Sequence, residues 1–160
     1  MTQAARPDSA TEAVRPDECT CHALRKATRR VTQLYDHILV ESGLRVTQFG
    51  LLATLRVAQP LSMTALAHRM AMDRTTLTRN LKPLERAGLV ALAPGGDRRT
   101  RMVLLTDPGR DALRRAAPFW RQAQLAMAEA LGPDRLKQLH ALLDASMEPA
   151  DRMLGDIGDG

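Results

Sequence analysis

Two groups of residues in this chain have the types and spacing to do chemistry. The larger is cationic and hydroxylated: Arg74, Thr75, Thr76, Thr78, Arg79, Lys82 and Arg86, followed by Asp97, Arg98, Arg99 and Arg101. Arginine and lysine donate to guanine edges and phosphates. Threonine donates, accepts or touches a thymine methyl, so the set suits a nucleic-acid duplex. The smaller group is Cys19, Cys21 and His22, which holds the chain's two cysteines. Thiolates and imidazole ligate soft metals, and thiols oxidise.

The thiols leave three readings open: packing beside a partner, thiol oxidation, and soft-metal binding. A pair this close in a chain without export signals points away from a structural disulfide. Within a regular helix, side chains at i and i+2 point about 200° apart and cannot grip one ion. An irregular helix entry would relax that constraint, and a helix N-terminus favours thiolate. His37, His68 and His140 are scattered and read as ordinary groups. No Gly-rich phosphate loop, metal-ligand cluster or Ser-His-Asp ordering is visible, so the expectation is that the chain is not an enzyme.

The elements that must position the cationic set follow from periodicity. Asp73 is a plausible N-cap and Gly88 a plausible stop, predicting a helix of about four turns between them. At about 100° per residue, Leu77, Leu81 and Leu84 share one narrow sector, and Thr75, Arg79, Lys82 and Arg86 lie opposite, flanked by Thr76 and Thr78. A solvated amphipathic helix would show the same face, so the neighbours decide. Upstream, residues 61–70 read as a short helix capped by Ser62, and a tight connection leads into the cationic helix. Helix, short turn and helix is the arrangement that lays a second helix in a major groove. Downstream, residues 89–93 and 101–105 are apolar runs joined by Pro94-Gly95-Gly96-Asp97-Arg98-Arg99-Thr100, which predicts a β-hairpin. Its arginines could enter a minor groove.

These motifs resemble the MarR family of winged helix-turn-helix regulators. The resemblance rests on Asp97-Arg98-Arg99 at the hairpin tip, Leu105-Thr106 and Gly109 after it, Leu66-Ala67 before the turn, Thr78-Arg79 in the cationic helix, and Leu84-Glu85-Arg86-Ala87-Gly88-Leu89-Val90 at its exit. It covers roughly residues 20 to 150. The resemblance implies a mainly α fold with about six helices and a two-stranded wing, and a two-fold dimer through the N- and C-terminal helices. Arg99 would be the minor-groove arginine, held by an ion pair with Asp97. Pro83 departs from the pattern; it removes a hydrogen bond to the Arg79 carbonyl and predicts a kink or local loosening.

Length and charge agree. At 160 residues the chain suits a single domain. The formal net charge is +5, and residues 69–110 alone carry nine Lys/Arg against four Asp/Glu, so the rest is neutral in sum. An excess gathered on one motif is what steering toward DNA requires. No apolar run approaches a membrane span and the first residues lack a signal-peptide core, so the expected location is cytoplasmic and no membrane partner is expected.

The expected organisation is a flexible tail over residues 1–17, one domain over 18–148, and an acidic tail over 149–160. Within the domain, the winged helix-turn-helix spans about 47–106, and dimerisation helices span about 19–42 and 107–148. Leu24, Ala27, Val31, Leu34, Tyr35, Ile38 and Leu39 keep helical spacing until Gly43. Thr47 is read as the cap of the next helix. Thr106 caps a long one with Pro108 in its first turn, bent at Pro118, and a last helix carries Leu136 to Met147.

The leading functional expectation is a dimeric, sequence-specific double-stranded DNA-binding regulator, a repressor reading a pseudo-palindromic site and released by a signal. The alternative is a thiol-redox or soft-metal sensor built on Cys19 and Cys21, with DNA binding as output or inherited scaffold. No cofactor is certain; a soft metal ion or a small molecule remains open as effector. By analogy with the family, which often binds aromatic or phenolic ligands between the dimer helices and the winged domain, Tyr35, Phe49, Met70 and Trp120 are pocket candidates. With four aromatics in the chain, core packing is their simpler role.

Overall fold

Three polar residues open three helices where the sequence predicts them. Ser62 Oγ accepts from the Ala65 N–H (3.1 Å), Asp73 Oδ1 from the Thr76 N–H (2.8 Å), and Thr106 Oγ1 from the Gly109 N–H (3.1 Å). Each satisfies a donor that the first helical turn leaves unpaired. The computed structural model describes residues 15–96 and 100–158. It contains six α-helices: α1 (Thr20–Leu39), α2 (Val46–Ala58), α3 (Met63–Arg69), α4 (Arg74–Arg86), α5 (Asp107–Leu131) and α6 (Pro133–Gly158). Three strands, β1 (Leu61–Ser62), β2 (Val90–Pro94) and β3 (Arg101–Leu105), form an antiparallel sheet in the order β1-β3-β2. Among the described residues no single helix is long and apolar enough to cross a membrane.

The core is aliphatic and lies where α2, α3, α4 and the sheet meet the start of α5. Leu51, Leu52, Leu55, Leu66, Leu77, Leu84 and Val103 are almost wholly withdrawn from solvent. Burying each such side chain is worth about 1.5–3 kcal/mol, so the three leucines of α4 set which way that helix faces.

Several expectations change. The two-stranded hairpin wing forms as expected, but a third strand extends its sheet, because Leu61 pairs with Val103 and Ser62 with Met102. A two-residue strand is too short to show periodicity, so no sequence pattern announces it. Helix α2 begins one residue before Thr47. Its first N–H groups are met by Gln48 Oε1, which accepts from Arg45 N–H (2.9 Å), and by Asp36 Oδ1 of α1, which accepts from Val46 N–H (2.7 Å). A carboxylate distant in sequence does the capping expected of Thr47. The acidic tail expected from residue 149 is instead helical to Gly158, with Pro149 inside α6. Residues 150–154 include Ala, Arg, Met and Leu, good helix formers that sustain the helix past one missing hydrogen bond. Pro83 and Pro118 likewise lie inside unbroken helices. Of the predicted N-terminal tail, residues 1–14 lie outside the described residues and Pro16–Glu18 form one 3-10 turn.

Candidate nucleic-acid interface

Helix α4 separates its two chemistries cleanly. Leu77, Leu81 and Leu84 are 0%, 2% and 1% exposed, whereas Thr75, Arg79, Lys82 and Arg86 are all exposed. Arg74, Thr75, Thr78, Arg79 and Lys82 line one shallow depression on that outer surface. Thr76 is only half-buried and lies on the other flank. No carboxylate of the described residues pairs with Arg74, Arg79, Lys82 or Arg86, so their charge faces solvent. The two hydrogen bonds from Thr76 hold the Asp73 carboxyl below its ordinary range, keeping the helix entry anionic.

The helix-turn-helix geometry depends on the segment between α3 and α4. Ala71 adopts φ 47°, a left-handed conformation that turns the chain within one residue. Met72 N–H reaches back to the Ala67 carbonyl (2.9 Å), closing the turn before Asp73 starts α4. At the other end Gly88, at φ 69°, releases the chain into β2.

The hairpin pairs β2 with β3 from Val90↔Leu105 to Pro94↔Arg101, and Gly95 N–H donates to the Thr100 carbonyl (2.8 Å) at the base of its tip. Arg101 is exposed. Asp97, Arg98 and Arg99, with the expected Asp97–Arg99 ion pair, lie outside the described residues.

Gly109 explains the Leu-Thr-x-x-Gly motif. Thr106 Oγ1 donates to the Gly88 carbonyl (2.6 Å), Thr106 N–H donates to the Leu89 carbonyl (3.2 Å), and Gly109 packs onto that same carbonyl. The start of α5 is therefore fastened to the segment that leaves α4.

The four aromatic-pocket candidates divide. Phe49 and Trp120 stack, with centroids 5.6 Å apart and an interplanar angle of 16°, and both line a cleft of about 750 Å³ between α2 and α5. Tyr35 and Met70 do not line it. Tyr35 is buried in the core, where desolvation raises its phenol pKa, and Met70 packs beneath α2 with its sulfur accepting from Thr54 Oγ1 (3.4 Å). Sequence reading missed the cleft's cations, Arg56, Arg110, Arg114 and Arg121. Arg110, Arg114 and Arg121 recur at steps of four and seven, a helical-face signal available in the sequence; Arg56 arrives from another helix. Asp107 pairs with Arg110 (2.9 Å) and Asp111 with Arg114 (2.8 Å), leaving Arg56 and Arg121 without a carboxylate among the described residues.

Cys19 is the N-cap of α1 and Cys21 follows in its first turn; both are free and exposed, as is His22. Among the described residues no group of three or more His, Cys, Asp or Glu side chains could hold a metal ion.

Comparison with known proteins bears on the whole arrangement. The sequence model of the MarR family matches residues 42–100. The HTH-type transcriptional repressor NicR of Pseudomonas putida is 33% identical over 123 residues, spanning 76% of this chain and 78% of NicR. The transcriptional regulator MosR of M. tuberculosis, solved in complex with DNA, is 40% identical with a TM-score of 0.74, covering 83% of this chain and 98% of MosR. BpsR of Bordetella bronchiseptica, whose DNA binding is regulated by 6-hydroxynicotinic acid, is 25% identical with a TM-score of 0.74, covering 84% of this chain and 98% of BpsR.

Proposed function

The chain belongs to the MarR family, and from that premise we propose that it is a dimeric transcriptional repressor that reads double-stranded DNA and is released by a small anionic aromatic molecule. The observation that carries the DNA reading is the opposition on α4. Three leucines bury one side, and Thr75, Arg79, Lys82 and Arg86 stand in solvent on the other. Such a ridge suits a major groove, with Arg74 and Thr78 at its margin. Arg98, Arg99 and Arg101 serve an adjacent minor groove, and Asp97 orients Arg99.

Dimerisation is supported by the apolar residues that the single chain leaves uncovered. Leu24, Val31 and Leu34 on α1 are each more than one third exposed, and Leu142 and Met147 on α6 are 70% and 51% exposed. None of α6's described side chains is buried, so a second copy is the natural cover. A two-fold pair sets two α4 helices about one DNA turn apart on a pseudo-palindromic site.

The α2–α5 cleft is the candidate effector site. A stacked aromatic pair beside the guanidiniums of Arg56 and Arg121, which no carboxylate of the described residues pairs, suits a flat ring bearing a carboxylate. Ligation there bears on Arg110 and Leu113, directly after the Thr106–Gly109 joint to the exit of α4, which offers a physical route from cleft to DNA-reading helix. The role places the protein in the cytoplasm, where DNA is accessible, and it is that of a regulator rather than an enzyme. Cys19 at the extended N-cap of α1 and Cys21 in its first turn are both exposed, the irregular entry that the thiol alternative requires, whereas among the described residues no third ligand completes a metal site with them.

Selection of bound duplexes from a random pool, repeated with and without an aryl carboxylate such as 6-hydroxynicotinate, tests the reading. Recovery of an inverted repeat, with less DNA retained when the acid is present, is expected. Recovery of unselected sequence would refute it.

A further inference from the structure

The three threonines of α4 are equivalent by residue type, but their hydrogen bonds make them different. Thr76 Oγ1 donates to Asp73 Oδ2 at 2.6 Å, and Thr78 Oγ1 donates to the Arg74 carbonyl at 2.7 Å. A hydroxyl carries one hydrogen, so neither side chain has a donor left for a base. Thr75 makes no such bond among the described residues and keeps its donor.

Thr76 is also half-buried, on the flank away from the depression lined by Arg74, Thr75, Thr78, Arg79 and Lys82. Thr78 is exposed within it. With its hydroxyl hydrogen committed to its own helix, exposed Thr78 has only its methyl group and oxygen lone pairs left to offer a base. Arg74 and Lys82 beside it are the groups that would hold phosphates and bring a base edge against that methyl. We propose that Thr78 is a specificity-determining residue that reads the 5-methyl group of a thymine by apolar contact, leaving hydrogen-bonded base reading on this helix to Thr75 and Arg79. The inference rests on the DNA-binding function proposed above.

Back-bonding matters to this role because it removes the ambiguity that threonine otherwise has. A free hydroxyl adapts to an acceptor or a donor on any base. A committed one offers no donor, and it fixes the side chain so that the methyl is held in place rather than rotating past the groove. The preference that results is for thymine over cytosine and over uracil, since both lack the methyl.

Deoxyuridine scanning tests this directly. In a duplex selected by the wild-type protein, each thymine is replaced in turn by deoxyuridine, which keeps the base pair and removes only the methyl. Affinities are measured for wild type, Thr78→Ser and Thr78→Val, with helicity by circular dichroism confirming that each variant is folded. Loss of one contacted methyl is expected to weaken wild-type binding about fourfold at one position per half-site. Thr78→Val should keep that sensitivity, and Thr78→Ser should bind the unmodified duplex about fourfold less tightly per half-site and lose the sensitivity at that position alone. Undiminished sensitivity in Thr78→Ser, its loss in Thr78→Val, or no sensitive thymine at all would overturn the assignment of Thr78 while leaving DNA reading intact. Failure of the wild-type protein to select any sequence would overturn both.

Discussion

Gly109, in the first turn of α5, packs its α-carbon against the carbonyl oxygen of Leu89. A Cβ at Gly109 would overlap that oxygen and stand 2.7 Å from Leu105 Cδ1. The contact fastens a cleft-lining helix to the chain leaving α4. Gly109→Ala must therefore push α5 away from β2, with an overpacking cost of about 1–3 kcal/mol. Urea denaturation should show a lower midpoint, whereas Gly96→Ala, whose Cβ would meet nothing within 4 Å among the described residues, should leave it unchanged.

Arg79 lies at the centre of the exposed face of α4. Arg79→Ala is expected to cost about 1–3 kcal/mol in binding to the selected duplex if it contacts a base, and to relax preference at one position. A phosphate contact would instead weaken all duplexes alike and reduce the salt slope by about one. Fluorescence anisotropy at several salt concentrations separates the two, and unchanged affinity would remove Arg79 from the interface.

Trp120 is the chain's single tryptophan and stacks on Phe49 at the cleft. Its emission should change when an aryl carboxylate enters. Arg56→Ala and Arg121→Ala should each weaken that titration by about tenfold, the scale of a charge-assisted hydrogen bond of roughly 1.5 kcal/mol. Neither change should alter DNA affinity in the absence of the acid. Full-strength titration in both variants would exclude the cleft.

Leu142 is 70% exposed on α6. Leu142→Asp should shift the protein from dimer to monomer in sedimentation equilibrium and reduce affinity for a two-half-site duplex far more than for a single half-site. Retention of a dimer would mean that other surfaces join the two copies.

Asp73 caps α4, and its carboxyl pKa is held below the ordinary value of 3.8 by the Thr76 hydroxyl and backbone N–H. A depressed folded-state pKa gives stability that is present above 3.8 and lost as the pH falls through the lower folded value. Asp73→Asn keeps a capping acceptor and removes the titration, so the variant should show a shallower loss of helicity below about pH 4. Parallel acid-unfolding curves for the two proteins would show that the cap carries no pH dependence.

Helix α4 was legible because its signals are local. A cap at Asp73, three leucines at helical spacing and cations on the opposite sector fall within fourteen consecutive residues, and helical geometry alone turns that order into two faces. The caps at Ser62 and Thr106 and the pairing of the hairpin strands were readable for the same reason.

The long-range features were not. Strand β1 is two residues whose identity as a strand comes from pairing with Val103 and Met102, some forty positions away. Asp36 caps α2 from another helix, and Arg56 joins Arg121 at one cleft only after α2 and α5 pack. Tyr35 and Phe49 are both aromatic and both buried, and only the crossing of helices decides that Phe49 lines the cleft and Tyr35 fills the core. Periodicity by itself determined the faces of each element, because a side chain's direction depends on its own backbone. Which faces meet was decided by tertiary structure, because that depends on atoms the local sequence does not supply.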